Sequence, residues 1–383
     1  MRPRPLFSRT VIYALLIGAS LVFLTPFVWL IATSLKPIEQ TMALPPTLIP
    51  HAYYASIDGQ GREVTIDFDL KAPAVVADVV GGEEAGRRVI LTAPDAVRRA
   101  AELRGAHRVG AGWTHVTERR EQGASRGAAP RWDVVAPASI ESRIKFRWSN
   151  YPRALASLGG SDVATEGGGG VGFWVFLNNT LIVCVLGVIG TVLSNAIIAY
   201  GFARVRWRGR DAFFALTLAT LMVPFPVLMV PLYGVFRELH WIGTLLPLWV
   251  PAFFGSAFNI FLMRQFFMTI PEELSEAARI DGSSEWRIFW QIILPLSRPV
   301  LAVSALFHFL YAWNDFMGPF LYLTRKETFT LSVALQNYQS QNGGVQWHYL
   351  MAASAVVVLP VIVLFFFAQK TFVQGIATTG SKG

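Results

Sequence analysis

Apolar residues gather into long blocks, at about 11–31, 173–203, 213–235, 245–266, 300–323 and 352–372. Each reaches about 20 residues, the length at which an α-helix crosses the hydrocarbon core of a bilayer. The pattern therefore predicts six membrane-spanning helices. The first block follows Arg2, Arg4 and Arg9 as the apolar core of a signal peptide would, yet it is longer than such a core. Its one nearby small-x-small sequence is Ala32-Thr33-Ser34, which favours an uncleaved helix.

The connection between the first two blocks has a different rhythm. Val64, Ile66, Phe68 and Leu70 alternate with Glu63, Thr65, Asp67 and Asp69, as in a strand with one buried face. Residues 88–92 form a second candidate strand, 94–104 a helix with its proline in the first turn, and 132–148 carry β-branched and aromatic residues suited to further strands. A small α+β domain over 51–146 follows. The glycine-rich stretch 159–172 reads as a tether back to the membrane.

Only 15% of the 383 residues are charged and 53% are hydrophobic, a deficit of charge that fits lipid surroundings. Lys and Arg exceed Asp and Glu by 33 to 25. Much of that excess lies in short loops beside the blocks and reads as an orientation signal, not a nucleic-acid surface. Arg204, Arg206, Arg208, Arg210, Arg264, Arg279, Arg287, Arg298, Lys370 and Lys382 are all cytoplasmic if both termini are. Arg237, Arg325 and Lys326 fall outside on this assignment and are outnumbered. The single cysteine, Cys184, rules out an intramolecular disulfide and a multi-thiolate metal site.

Three short patterns imitate known motifs. Gly167-x-Gly169-x-x-Gly172 follows no strand and runs into a spanning block, so it is a linker and not a dinucleotide fingerprint. Gly375-x-x-x-x-Gly380-Ser381-Lys382 has the last residues of a phosphate loop exchanged and no following helix, so no ATP hydrolysis is expected of this chain. Asn178-x-Thr180 is formally a glycosylation sequon, but its place within the second block favours interhelical hydrogen bonding.

The loop 268–299 is the most patterned connection. Thr269-Ile270-Pro271-Glu272 reads as a capping box opening a short helix to about Ile280, with Leu274, Ala277 and Ala278 on one compact face and Glu272, Glu273 and Glu276 mostly in its N-terminal half. Gly282 suits the left-handed position that ends a helix, and a second helix through Trp286, Phe289 and Ile293 leads to Pro295. A short helix of this kind, projecting from a membrane domain, needs a protein groove or the lipid interface to cover its apolar face.

Glu276-Ala277-Ala278, then Gly282, then Ile292-x-Leu294-Pro295 resembles the cytoplasmic signature of permease subunits of bacterial ABC importers. Ser34-Leu35-Lys36-Pro37, Asn178-Asn179-Thr180-Leu181, Ala199-Tyr200-Gly201-Phe202-Ala203-Arg204, Pro231-Leu232-Tyr233 and Trp313-Asn314-Asp315-Phe316 are similar to its carbohydrate-importing branch. The resemblance implies a coupling helix over 271–284 that sits in a cleft of a partner ATPase, with Glu272, Glu273, Glu276, Ala277, Ala278, Asp281 and Gly282 at the contact. It also implies a heterodimer with a second permease, an ATPase dimer that carries ATP and Mg, and an extracytoplasmic substrate-binding protein. No cofactor is expected on this chain, and the place implied is the bacterial cytoplasmic (inner) membrane. The tail 375–383 resembles the glycine-rich end of the maltose-type permease, which reaches into the ATPase dimer. The family commonly runs straight from a Leu-Ile-Pro segment to an Asn-Tyr segment, whereas here Leu48-Ile49-Pro50 and Asn150-Tyr151 are separated by the inferred domain.

The expected architecture is thus an all-α polytopic membrane protein of six transmembrane helices with both termini cytoplasmic, plus an inserted small α+β extracytoplasmic domain. It divides into 1–50, the insertion 51–146, the outer loop and tether 147–172, a five-helix core 173–374 with the coupling loop 268–299, and a tail 375–383. Asp315 lies in the fifth block, where an ionised side chain at mid-bilayer costs about 2.5–3.5 kcal/mol, so it is expected to face protein or water. Asn314 and Asp315 are the pathway candidates. His308, seven residues before Asp315 and on the same face of a continuous helix, raises the alternative of a proton-coupled secondary transporter. Pro224, Pro226 and Pro231 predict a kinked helix against the pore. A membrane-anchored sensor and an intramembrane enzyme are weaker readings. The blocks hold no paired Asp, Ser-His pair or His-rich metal spacing.

Overall fold

The computed structural model describes residues 6–43, 45–80, 87–98, 100–119, 131–158, 171–340 and 346–379. The tether at 159–170 and the end of the tail at 380–383 lie outside the described residues. The chain divides into two compact units, Met1–Ala154 with Asp162–Gly167 and Gln346–Ala352, and Leu155–Ser161 with Gly168–Val345 and Ala353–Gly383.

The first unit opens with α1 (Leu6–Ser34), whose apolar side chains are exposed along most of its length. Helix α2 (Ile38–Thr41) follows, and then the strands β1 (His51–Ile57), β2 (Gln60–Asp69), β3 (Ala74–Val79) and β4 (Arg88–Leu91). After α3 (Ala93–Arg98) come β5 (Leu103–Val109), β6 (Thr114–Glu118), β7 (Trp132–Val135), β8 (Glu141–Ile144) and α4 (Asn150–Ser157). The strands make a five-stranded sheet ordered β7-β6-β2-β1-β8 and a three-stranded sheet ordered β4-β3-β5, with every pairing antiparallel.

Ala55, Ile57, Val64, Val116 and Val135 fill one small core, and Ala74, Val76, Val109 and Val134 a second. The alternation that marks β2 is only partly realised. Val64 is buried, but Ile66 and Phe68 are exposed, and a bulge between those two shifts the register so that Phe68 comes opposite His115 on the other face. The helix expected at 94–104 ends at Arg98, and after a 3₁₀ turn Leu103 instead pairs with Val79 in the sheet. Entry and exit of the insertion meet, since His51 pairs with Ile144 and the Lys145 amide donates to the Pro50 carbonyl at 3.1 Å. Buried Asn150 then closes the end of α1, donating to the carbonyls of Ser34 at 2.8 Å and Lys36 at 2.9 Å.

The second unit is helical. It contains α5 (Phe173–Ala203), α6 (Arg210–Ala219), α7 (Phe225–Glu238), α8 (Leu246–Trp249), α9 (Ala257–Thr269), α10 (Glu273–Ile280) and α11 (Glu285–Ile288). It continues through α12 (Leu294–Leu296), α13 (Arg298–Asn314), α14 (Met317–Tyr322), α15 (Leu331–Ser340) and the greater part of α16 (Trp347–Thr379). Among the described residues four helices are long and apolar enough to cross a membrane, or up to six if each of two bent pairs is one span.

One bent pair, 285–296 with 298–314 at 78°, joins the loop to α13; the other pair and a break after α13 correct the expectation of continuous helices. The third block breaks at Pro224, where 210–222 and 225–238 meet at 100°, a sharper departure than a kink. The fifth block ends at Asn314, and α14 starts anew at Met317. Helix α5 lies at the centre of the unit, and its small residues permit close approach. A Cβ at Gly190 would lie 2.5 Å from the Phe253 ring, and one at Gly187 would lie 2.4 Å from His308 Nε2.

Candidate functional site

The loop between α9 and α13 folds into a rigid elbow. The Arg204 guanidinium, at the end of α5, donates to the carbonyl of Ile270 and at 2.6 Å to that of Phe267, which also accepts from the Ile270 amide, and so caps the end of α9. Helix α10 then projects outward. The expected capping box is absent, because Thr269 still belongs to α9 and bonds to the Phe266 carbonyl, while the Glu272 side chain at the N-cap makes no capping bond and accepts from Arg206 at 3.1 Å instead. Helix α10 opens about a turn later than a Thr-capped helix would, with the Glu272 carbonyl accepting from the Ser275 and Glu276 amides.

At its other end α10 closes through Gly282, in the left-handed region at φ +78°. The Ser283 amide donates to the Ala278 carbonyl at 2.9 Å and the Gly282 amide to that of Arg279 at 3.0 Å, the paired bonds of a Schellman motif. Ser284 caps α11, and a π-turn over Phe289–Ile293 carries the chain into α12.

Ala278, Ile288, Phe289 and Ile293 pack into one buried cluster with Ala199, Tyr200, Met263 and Phe267. A polar clamp closes it. Tyr200 Oη donates to Glu285 Oε2 at 2.5 Å, and Arg279 Nε donates to Glu285 Oε1 at 2.8 Å. These bonds, led by that from Arg279, hold the Glu285 carboxyl below the ordinary carboxylate range.

The apolar face expected of α10 is divided. Ala278 faces the protein, while Leu274, Ala277 and Ile280 point away, with Ile280 87% exposed. Glu272, Glu273, Glu276, Asp281 and Gly282 are exposed as well. The free surface is therefore apolar in the middle and mainly acidic around it. Tyr200 and Glu285, which fix its attitude, were not singled out by spacing because they lie 85 residues apart.

A second polar group runs through the helices. Buried Asn195 accepts from the Ser256 amide at 2.7 Å, Ser304 donates to Asn259 at 2.7 Å, and Thr191 bonds His308 Nδ1 at 2.9 Å. Asn179 donates to the carbonyls of Glu327 and Phe329, and Thr180 accepts from the Leu331 amide, which makes the Asn178-x-Thr180 sequence a source of hydrogen bonds between segments. Asn314 is exposed at the end of α13 and donates to the Leu310 carbonyl. Asp315 has left the helix for an extended conformation, its carboxylate accepting from the Gly318 amide at 3.1 Å. His308 and Asp315 therefore do not share a continuous helical face, which removes the geometry on which a relay between them was argued. Among the described residues no cluster of His, Cys, Asp or Glu has the makings of a metal site.

Long apolar helices, proline-broken spans, buried interhelical polar contacts and a projecting elbow define a polytopic membrane permease. The family model for the binding-protein-dependent transport system inner membrane component matches residues 176–378, more than half of the chain, and the chain belongs to that family. It is 34% identical over 211 residues to the arabinooligosaccharides transport system permease protein AraQ of Halalkalibacterium halodurans, covering 55% of this chain and 75% of that protein. It is 35% identical over 205 residues to the sn-glycerol-3-phosphate transport system permease protein UgpE of Yersinia pestis, covering 53% and 73%. Among solved structures it is similar to a chain of a bacterial ABC transporter involved in the import of the acidic polysaccharide alginate. The identity there is 25% and the TM-score 0.50, over 62% of this chain and 81% of that chain. The protein is a multi-pass component of the bacterial inner membrane and a transport subunit, not an enzyme.

Proposed function

We propose that this chain forms part of the translocation pathway of an ATP-driven importer for a sugar or oligosaccharide. The observation that carries the reading is the elbow at 268–299, a short helix held rigidly by Tyr200, Arg204 and Glu285 with its apolar and acidic face left free. Such a face requires a groove, and its acidic rim disfavours anionic lipid. In this reading Glu272, Glu273, Glu276, Ala277, Asp281 and Gly282 contact an ATPase dimer that binds ATP and Mg, while Ala278 ties the helix to the permease. A second permease completes the pathway, and a binding protein delivers solute from the opposite side. Relatives that handle arabinooligosaccharides and sn-glycerol 3-phosphate, and an alginate importer of similar fold, support a carbohydrate-like solute.

In this reading the bent pair 210–238 is one span and α13 another, for six helices with both termini cytoplasmic, the insertion 51–146 outside and the tail 375–383 inside. Irregular backbone at membrane depth is tolerated against protein or a watery cavity, so the break between α13 and α14 supports Asn314 and Asp315 as residues beside the pathway. ATP-driven switching then needs each ligand to favour one state of the cavity.

The test is a pull-down of the tagged chain from its native membrane beside a Gly282→Asp variant, with co-purifying proteins identified by mass spectrometry. A Cβ at Gly282 meets no atom within 4 Å, so the added carboxylate projects from the elbow, and Asp tolerates the left-handed conformation better than most residues. An ATPase and a second permease accompany the wild type, and the ATPase is lost with the variant. If no ATPase accompanies the wild type while other membrane complexes survive, the reading fails.

A further inference from the structure

Exposed apolar side chains gather where the insertion rejoins α1. Beyond β8 the chain stays extended as far as Arg147, since the Lys145 amide donates to the Pro50 carbonyl and the Arg147 amide to that of Leu35, both at 3.1 Å. An extended backbone sorts its side chains alternately to two sides. Lys145 and Arg147 turn to one side, where both bond Glu63. Ile144 and Phe146 turn to the other and are 60% and 50% exposed, and Trp148, in the turn before α4, is 65% exposed. Leu48 and Ile49, just before β1, are exposed as well. Because β8 is an edge strand, this stripe lies on the rim of its sheet.

The position of the stripe selects its partner. Helix α1 has 29 residues, so it is about 43 Å long, close to the thickness of a bilayer with its headgroups. Its apolar run ends at Trp29-Leu30-Ile31-Ala32, and Thr33 and Ser34 follow, which brings Ser34 out at headgroup level. The stripe is tied to that end. Ser34 Oγ bonds Tyr151 Oη at 2.9 Å, the Tyr151 ring stacks with Trp148 at 6.1 Å between centroids, and Asn150 holds the Ser34 carbonyl. Trp and Tyr at the end of a span suit the membrane–water interface, because each ring has an apolar body and a polar edge. Ile144 and Phe146 add purely apolar surface beside them, and the neighbouring cations are turned away to Glu63. With α1 as a span, lipid is already present at this level, whereas a protein arriving from outside would meet headgroups there.

We propose that Ile144, Phe146 and Trp148 dip into the outer leaflet and seat the insertion on the lipid surface. The contact rests on α1 as a span and on the outward placing of 51–146. It gives the insertion a hold on the membrane besides its chain connections.

The experiment uses the full chain with its co-purifying subunits in vesicles of phosphatidylcholine and phosphatidylglycerol. The one native cysteine, buried Cys184, is replaced by alanine, and a nitroxide is attached at Phe146→Cys, Trp148→Cys or Gln60→Cys in separate variants. Gln60 is exposed and pairs with Ile57, about 20 Å along β1 from His51. Saturation EPR measures collisions with oxygen, which concentrates in lipid, and with a water-soluble nickel chelate. The ratio of oxygen to nickel collisions is expected to be severalfold higher at 146 and 148 than at 60. A second measurement needs no cysteine. The fluorescence lost between wild type and Trp148→Phe, which keeps a ring against Tyr151, is the Trp148 share, and lipid brominated high on its chains is expected to quench it.

Nickel collisions at 146 and 148 as frequent as at 60 would place the stripe in water, and shielding from both reagents would place it against protein. Either result, or a Trp148 share that brominated lipid leaves unquenched, overturns the proposal. Its failure is separable from that of the outward placing. An impermeant thiol reagent added outside intact cells reaches Gln60→Cys if the insertion is outside, whatever the stripe touches, and capture of the ATPase tests the import reading by itself.

Discussion

Single side chains decide how firmly the elbow stands on the permease. Tyr200 Oη donates to an ionised partner, and hydrogen bonds of that kind contribute about 1.5–3 kcal/mol. Tyr200→Phe keeps the ring against Phe289 and removes only this bond. The expected outcome is a lower melting temperature of the purified chain and weaker ATPase retention in the pull-down, with Glu285→Gln falling in the same direction. An unchanged Tyr200→Phe on both readouts would deny the clamp its role. A steric prediction is sharper. Gly187→Val places its Cβ against His308 Nε2 in a packed helix crossing, so overpacking of about 1–3 kcal/mol is expected and the variant should melt earlier than Gly201→Val, whose site is open. The sequence made Gly282 legible because a left-handed helix end has a recognisable residue preference. It did not make Glu285 or Gly187 legible, because their importance lies in partners far along the chain, Tyr200 and His308.

Elements were read best where periodicity alone determines them. The apolar blocks are helices because lipid-length runs leave the backbone no other way to satisfy its hydrogen bonds. Their interruptions were harder to read. Pro224 signalled a kink but not a turn of 100°, and nothing in Asn314-Asp315-Phe316 announced that α13 ends there, since Asp315 and Gly318 close that break through a local bond. The capping box failed because a Thr-x-x-Glu pattern can equally sit across a helix end, as Thr269 does by staying in α9. The elbow also has a pH dependence of defined sign. The Glu285 carboxyl is held below its ordinary range by Arg279 and Tyr200, so its contribution is complete above that range and is lost as pH falls through the depressed value. Acid below the ordinary carboxylate range is expected to loosen α10 and α11. Hydrogen exchange at the Ser283 and Ile288 amides checks this, with faster exchange at low pH after correction for the intrinsic rate in wild type and a smaller change in Glu285→Gln.

At the scale of the whole molecule, the insertion stands apart from the part of the chain that defines the family. The matched residues begin at 176, after the sheets have closed at Ile144 and the Asn150 clamp has sealed the end of α1. That division was visible in the sequence as a change of rhythm between Pro50 and Asn150, although the pairing of its two ends was not. Because His51 faces Ile144 and Lys145 bonds Pro50, removing 51–144 and joining Pro50 to Lys145 through two glycines spans a gap that is already a strand-to-strand distance of about 5 Å. The Arg147 amide can still bond the Leu35 carbonyl, and Asn150 can still bond those of Ser34 and Lys36, so α1 keeps its closure. An insertion whose described strands pair with one another is expected to be dispensable for capture of the ATPase and needed for dealings with solute or binding protein outside. The shortened chain is therefore expected to co-purify with the ATPase at the wild-type level while binding-protein-dependent uptake into reconstituted vesicles falls severalfold. Loss of the ATPase instead would tie the insertion to assembly, and wild-type uptake by the shortened chain would leave it no part in transport.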